Sequence, residues 1–482
     1  MNQIRITLFL LTIPLVAVSA PTVHLNYTSA NVVDSLDVLG VPFNPTLAVG
    51  SQQAILSTYQ IVRSFNKQTG LPDNIINNDQ NSFAATIAFT GDPWLVYNPF
   101  IKRWLYSYED FDTGDLLFSI SNEDPITAQT EWSNYTVSTG EINPLDPAGF
   151  LDFQQPGYDQ NAYYIGVSTF DQNEIFTGSS LMVVSNSSLL AGTPNITVFP
   201  GLFPETVHIA DQGFAFPATN FDPNPTYGYF LWVIYDQPET VMGNTIQLYR
   251  ILDADSNTPT LGPLVSITVP PFAYNELVAA HKENLFGEVG LIQTNVGAIS
   301  PYPHVRDQQL YLCLDIQMNA DGDADPNGDR IGIIFYQIDL TGGTGVEDPD
   351  TVPTLVQSGK LYDDSETDPL SYYLSSIMTN KNGDMLISFN VSGNEAYINA
   401  GFTYRYASDA PGTLREPILI TNSQFPYNFS PNIPLTPGPN MQRWGDQSTV
   451  VTDPVDDITF WLNQNWAGLH NAWAIQAAKV TL

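Results

Sequence analysis

The sequence predicts an all-β protein folded as a single β-propeller, and three observations carry that expectation. Runs of apolar, aromatic and β-branched residues are broken by Gly, Pro, Asn and Asp roughly every ten residues, the rhythm of short strands joined by turns. Ala, Leu, Glu and Lys never cluster at helical spacing; only 277–283 (LVAAHKE) would make a turn or two of helix, and it reads equally as a strand edge. The chain has 482 residues, too many for one sandwich, yet no Gly/Ser-rich or charged linker divides it. Radial four-stranded blades let a chain grow past the limit of one core without long bare edges. At about 60 to 65 residues per blade, the chain fits seven blades, with six or eight within the same arithmetic.

Met1 to Ala20 reads as a secretory signal. Arg5 lies in the n-region, an apolar run spans 6–18, and Val18-Ser19-Ala20 puts small residues at the −3 and −1 positions. The run is shorter than the about 20 residues of a spanning helix. Residues 21–482 then form the propeller domain of a secreted, extracellular protein without membrane insertion. Pro21 disfavours a cut directly before it, which leaves the mature N-terminus open. Strands are expected around Trp94, Arg103, Leu116, Ala162, Leu181, Tyr229, Gln247, Leu310, Ile331, Met385 and Thr459. The strand-like segments 44–50 and 472–482 would share one blade and latch the ring. An Asp-Pro turn leading to a Trp strand recurs at Asp92-Pro93 to Trp104, Asp124-Pro125 to Trp132 and Asp453-Pro454 to Trp461, a weak internal repeat.

Composition narrows the partners. Fifty Asp and Glu face fifteen Lys and Arg, a formal charge of −35, while 43% of residues are hydrophobic and 12% aromatic. A chain this rich in aromatics folds despite its charge. Its scattered cations exclude nucleic acid as a partner, because phosphate backbones demand Lys/Arg clusters. The single cysteine, Cys313, rules out an intrachain disulfide and a thiolate zinc site. Sequons begin at Asn26, Asn134, Asn186, Asn195, Asn390 and Asn428 and mark candidate glycosylation sites, although chance alone supplies about five in such a chain.

Taken in order, Pro-Thr-Leu-Ala-Val-Gly (45–50), Asp92-Pro93 to Arg103-Trp104, Ser121 to Trp132, Gln357-Ser358-Gly359, Arg443-Trp-Gly-Asp-Gln-Ser448 and Asp453-Pro454 to Trp461 resemble a family of secreted, mostly uncharacterised β-propeller proteins. That family is distantly sialidase-like and Asp-box-like and carries an Arg-Trp-Gly-Asp-Tyr-Ser signature near its C-terminus. The similarity covers most of the mature chain, with Gln447 in place of the family's Tyr. It implies a fold and an extracellular setting, without a chemistry to carry over.

The sharpest local motif runs through Asp321, Asp323, Asp325, Asn327 and Asp329. Alternating oxygen donors on a tight loop suit Ca²⁺, and 323–328 matches the first half of an EF-hand loop; Ile334 at the twelfth position breaks the second half. A structural Ca²⁺ site there competes with an acidic solvated hairpin tip. Arg443 and Asp446 are the next candidates, since Gly445 lets the backbone turn a guanidinium and a carboxylate to one side. With Asp92 they make the candidate catalytic group of a propeller glycoside hydrolase or lyase. Fifty acids make carboxylate pairs unavoidable, so abundance weakens that signal. The five histidines lie far apart without ligand spacing, and Cys313 reads as a small core hydrophobe. The leading expectation is a secreted acidic propeller that binds an extracellular glycan or a surface protein. The hydrolase is its alternative. A structural subunit of a coat or filament, with homo-oligomeric assembly, is the third. A carboxylate pair converging in an open central pocket with perturbed pKa values would favour the enzyme.

Overall fold

The apolar runs of the sequence become strands that pair antiparallel, mostly with their chain neighbours, in seven groups. The computed structural model describes residues 20–31, 34, 44–58, 61–79, 83, 90–110, 112–173, 175–203, 215–235, 241–274, 278–282, 291–294, 300, 302–428 and 441–482. From the axis outward, blade 1 holds Thr46–Val49, Gln53–Ser57, Ile61–Asn66 and Pro72–Asp79. Blade 2 holds Thr90–Asn98, Arg103–Asp110, Leu116–Ser121 and Trp132–Val137, and blade 3 Phe150–Tyr158, Ala162–Phe170, Phe176–Ser185 and Ile196–Leu202. Blade 4 is built on Phe216–Pro217, Gly228–Tyr235, Met242–Leu252 and Val265–Ala273, and blade 5 on His304–Arg306, Gln309–Met318, Arg330–Asp339 and Thr354–Leu361. Blade 6 comprises Ser371–Thr379, Met385–Gly393, Ala396–Arg405 and Ile418–Leu419. Blade 7 begins with Thr449–Thr452, Phe460–Leu469 and Ala472–Thr481. The seven-bladed propeller expected from the sequence is thus the fold.

Ring closure differs from the expected latch. The strand that completes blade 7 is Thr22–Asn31, paired antiparallel with Ala472–Thr481 from Thr22↔Thr481 to Asn31↔Ala474. The segment 44–50 instead supplies the inner strand of blade 1. Thr22–Asn31 has the profile of an outer strand, half exposed, whereas Thr46–Val49 is wholly buried. Burial therefore assigned the two segments to opposite edges of their blades. The helical alternative within 277–283 is also overturned where it is described. Val278–Ala279 pairs with Leu291–Gln293, which pairs in parallel with Met441–Gln442 in a small eighth sheet.

The Asp-Pro repeat does not survive in register. Asp92-Pro93 opens an inner strand, Asp124-Pro125 follows a third strand, and Asp453-Pro454 follows an inner strand. Two other repeats replace it. Where inner strands end, Asn98, Asp159, Asn380 and Asp453 each accept a hydrogen bond on Oδ1 from a backbone N–H two residues on, at 2.6–3.0 Å. These Asx turns start the hairpin to the second strand. Where inner strands begin, Asn44 (φ 35°), Asp92 (45°), Phe153 (56°), Tyr302 (67°) and Leu374 (49°) adopt left-handed backbone. Each lies two residues before a ladder pair: Thr46↔Ser57, Trp94↔Ser107, Gln155↔Gly166, His304↔Tyr311 and Ser376↔Ser388. Non-glycine residues in this region cost energy, so the surrounding blade must hold them there.

Candidate functional site

In blades 2 and 3 the left-handed residue lies within a β-bulge, with the register breaking between Gly91 and Trp94 and between Asp152 and Gln155. A bulge releases one residue from the ladder and re-aims its neighbours. Here it turns Asp92 and Asp152 into the mouth where inner strands begin. Glu109 reaches the same mouth because the second strand of blade 2 runs antiparallel and ends there. Arg443 and Asp446 arrive from the segment before blade 7. Asp92, Glu109, Asp152, Arg443 and Asp446 line one cavity of about 310 Å³, with Phe150 and Phe153 on its wall. The three residues that the sequence singled out, Asp92, Arg443 and Asp446, are therefore brought together.

The Arg443–Ser448 segment is pinned at every step. Trp444 is fully buried, donates its indole N–H to Asn390 Oδ1 at 2.9 Å and meets Tyr427 edge-on at 4.7 Å. The Tyr427 hydroxyl donates to the Arg443 carbonyl at 2.8 Å. Gly445 takes φ 147°, which side chains disfavour, and so reverses the chain between Trp444 and Asp446. Arg443 then donates to Asp446 at 3.1 Å and to Gln293 at 2.8 Å. Ser448 donates to the Leu374 carbonyl at 2.7 Å, tying the segment to blade 6. Asn44 bridges the site: its Nδ2 donates to Asp92 at 2.5 Å, and its Oδ1 accepts the Asp446 backbone N–H at 3.0 Å. Gln447, where the resembled family has Tyr, donates to the Asn44 carbonyl at 3.3 Å.

Electrostatics follow from crowding. Asp92, Glu109 and Asp152 each place a carboxylate oxygen so that the three lie within 4.8 Å of one another. Burial and then the Asp446 charge push Asp92 up to about 6, against the lowering effect of Asn44 and Arg443. Asp152 rises to about 8 through burial and the adjacent Asp92. Glu109 is only 2% exposed and is raised well above the usual carboxylate range by burial and both aspartates. Neither Glu109 oxygen finds a donor in hydrogen-bond geometry, although the nearby Gln154 backbone favours its charged form. Glu109, Asp152, Asn44 and the phenylalanines escaped the sequence reading. One signal was present: Glu109 continues the face of Leu105 and Ser107, both fully buried, so it is an acid at a core-facing position.

The other sequence candidates lie elsewhere. Asp321, Asp323, Asp325, Asn327 and Asp329 occupy the hairpin between the second and third strands of blade 5. Asn319 Oδ1 accepts the N–H groups of Asp321 and Asp323, and Asp325 accepts that of Asn327. Asp329 pairs with Arg330 at 2.8 Å, and Lys360 approaches Asp323 at 3.8 Å. Among the described residues, the group of three acids that meets within 4.8 Å is in the mouth and not in this hairpin. Of the sequons, Asn26 and Asn134 are exposed, Asn195 and Asn428 are half-buried, and Asn186 and Asn390 are buried. Asn390 donates to the Asn465 and Asn399 carbonyls and Asn186 to those of Asp159 and Gln160, contacts that a glycan would have to expel. Residues 1–19 of the segment 1–20 expected as a secretory signal, and His208, lie outside the described residues. His304 is buried and pushed down to about 3, so it is neutral and hydrogen-bonded to Thr379 at 2.8 Å. Among the described residues, no helix is long and apolar enough to cross a membrane.

No protein-family model matches the chain, and no curated protein matches it. Solved structures do. A Hadza microbial sialidase is 11% identical over 89% of this chain and 73% of its own, with a TM-score of 0.35. Domains 1–2 of Drosophila Semaphorin 1a are 9% identical over 93% and 88%, at 0.35. An α-L-arabinofuranosidase from Fusarium graminearum is 8% identical over 79% and 90%, at 0.36. At these values the likeness assigns no residue and no activity.

Proposed function

We propose that the protein binds an extracellular carbohydrate in the charged mouth of the propeller. The observation that supports this most is the union, in one cavity of about 310 Å³, of the Arg443–Asp446 pair and the Asp92 and Asp152 carboxyls with the Phe150 and Phe153 rings. Vicinal sugar hydroxyls suit planar charged groups held in fixed positions, and the apolar face of a pyranose suits an aromatic wall. The volume is near the lower end of small-ligand pockets, about 300–1,000 Å³, which suits one sugar residue at a chain end. The signal-like residues 1–20 support an extracellular ligand.

Glycoside hydrolysis is the second reading. Asp92 and Asp152 have oxygens no more than 4.8 Å apart, close enough for a retaining pair, about 5 Å, and too close for an inverting one. A glycan-array screen on the purified protein, reading released sugar in the same wells, tests both. Retention without cleavage, weakened roughly tenfold or more by Asp446→Asn, supports binding. Released sugar that vanishes in Asp152→Asn replaces the binding reading with the hydrolase. Silence in every well overturns both.

A further inference from the structure

Asp92, Glu109 and Asp152 come from three strand ends in two blades, and each directs a carboxylate oxygen into a triangle no wider than 4.8 Å. Two oxygens on one calcium ion, each about 2.4 Å from it, are at most about 4.8 Å apart, so the spacing allows shared ligation. The cluster alone would be a common acidic patch. Glu109 sets it apart, because it is 2% exposed and both its oxygens lack a hydrogen-bond donor. A buried carboxylate whose nearby donor, the Gln154 backbone, does not reach hydrogen-bond geometry asks for a further partner. Arg443, the guanidinium on this cavity, donates to Asp446 and Gln293, and its charge also acts on Asp92 and Asp152.

The donor set names the ligand class. Three carboxylates without His or Cys select a hard, oxygen-seeking cation over zinc or copper. The ligands are also set in advance. Asn44 fixes Asp92 at 2.5 Å, the Gln154 amide holds the Asp92 carbonyl, and both aspartates belong to bulged strands. The open side of the cavity leaves room for water, or for sugar hydroxyls if the carbohydrate reading holds.

We propose that Asp92, Glu109 and Asp152 form a binding site for a hard divalent cation, calcium being the fitting probe. The experiment is calorimetric titration of the chelator-stripped, full-length protein with CaCl₂ and, separately, MgCl₂, with no sugar present, paired with thermal unfolding in each salt. One site per chain and a raised Tm are expected. Glu109→Gln should weaken binding roughly tenfold or more. Its Tm in chelator should equal or exceed that of the wild type, which shows an intact fold. The double substitution Asp323→Asn with Asp325→Asn should leave the titration unchanged. Neither heat nor a Tm shift up to roughly 10 mM of either ion, beyond the range of weak extracellular sites, would overturn the proposal. So would binding that survives Glu109→Gln and Asp152→Asn but disappears in the hairpin variant. Because no sugar is used, either result leaves the carbohydrate reading to its own screen.

Discussion

At the mouth where the inner strands begin, Asn44, Asp92 and Phe153 hold left-handed backbone, and acids from blades 2 and 3 meet an Arg–Asp pair. At the opposite mouth the same strands deliver Val49, Val96, Tyr97, Tyr158, Met378 and Val451 to a cavity of about 160 Å³. The ladders are regular there and close through Asx turns. The difference teaches where a propeller keeps its chemistry. A regular ladder satisfies every backbone group and leaves its inner face to packing, whereas a bulge frees side chains from the ladder at the cost of local strain. Left-handed residues occur at both ends, Tyr302 and Asp457 lining the apolar cavity, but at the charged mouth they coincide with the bulges that bring the acids together.

Breaking the charged mouth should have the largest effect. Trp444→Ala removes a fully buried indole that anchors the Arg443 segment, and should cost roughly 4 kcal/mol by chemical denaturation while abolishing glycan retention. If retention survives, the segment is not what shapes the site. The rim of the apolar mouth depends on one buried ion pair, Lys67 to Asp453 at 2.7 Å with both side chains 3% exposed. Asp453 also accepts the Trp461 indole N–H. Lys67→Ala leaves that carboxylate buried without its cation and should cost roughly 3 kcal/mol, with glycan retention preserved because the damage is at the other face.

A pH titration sharpens the same contrast. Asp159, buried at an Asx turn of the apolar end, is raised to about 6 by burial, against bonds from Tyr164, Ala162 and Asn161. Its folded pKa exceeds the unfolded value of 3.8, so the folded state keeps a proton that the unfolded chain has released. The resulting stability is complete below about pH 4 and declines by about 3 kcal/mol as pH rises through about 6. Unfolding free energies across that window should flatten in Asp159→Asn, and an unchanged slope would remove Asp159 from the account. The smallest effect belongs to neither mouth. Asp323→Ala on the blade 5 hairpin removes a 3.8 Å pair that is 75% exposed at the aspartate and should shift stability by less than about 0.5 kcal/mol. A larger loss would give that hairpin a structural role.

How much of the site was legible follows from these particulars. Arg443, Asp446 and Asp92 were visible as a scarce cation, a Gly-assisted turn and an Asp-Pro step, all local signals. Asp152 was one of fifty acids, and only its bulge made it different. Asn44 looked like part of a strand, yet it bridges Asp92 and Asp446, the second of them 402 residues further along the chain than Asn44 itself.

By itself the sequence determined the all-β class, a length that fits about seven blades, the exclusion of an intrachain disulfide and turns at Asn, Asp, Gly and Pro every ten residues or so. Each depends on composition or on neighbours within a few residues, where local propensity governs. Tertiary structure alone decided that Thr22–Asn31 closes the ring, that unlike residues such as Asn44, Phe153 and Leu374 share one left-handed conformation, and that three acids meet at one mouth. Those outcomes are set by strand register and blade packing, which join segments hundreds of residues apart and override what any single residue prefers.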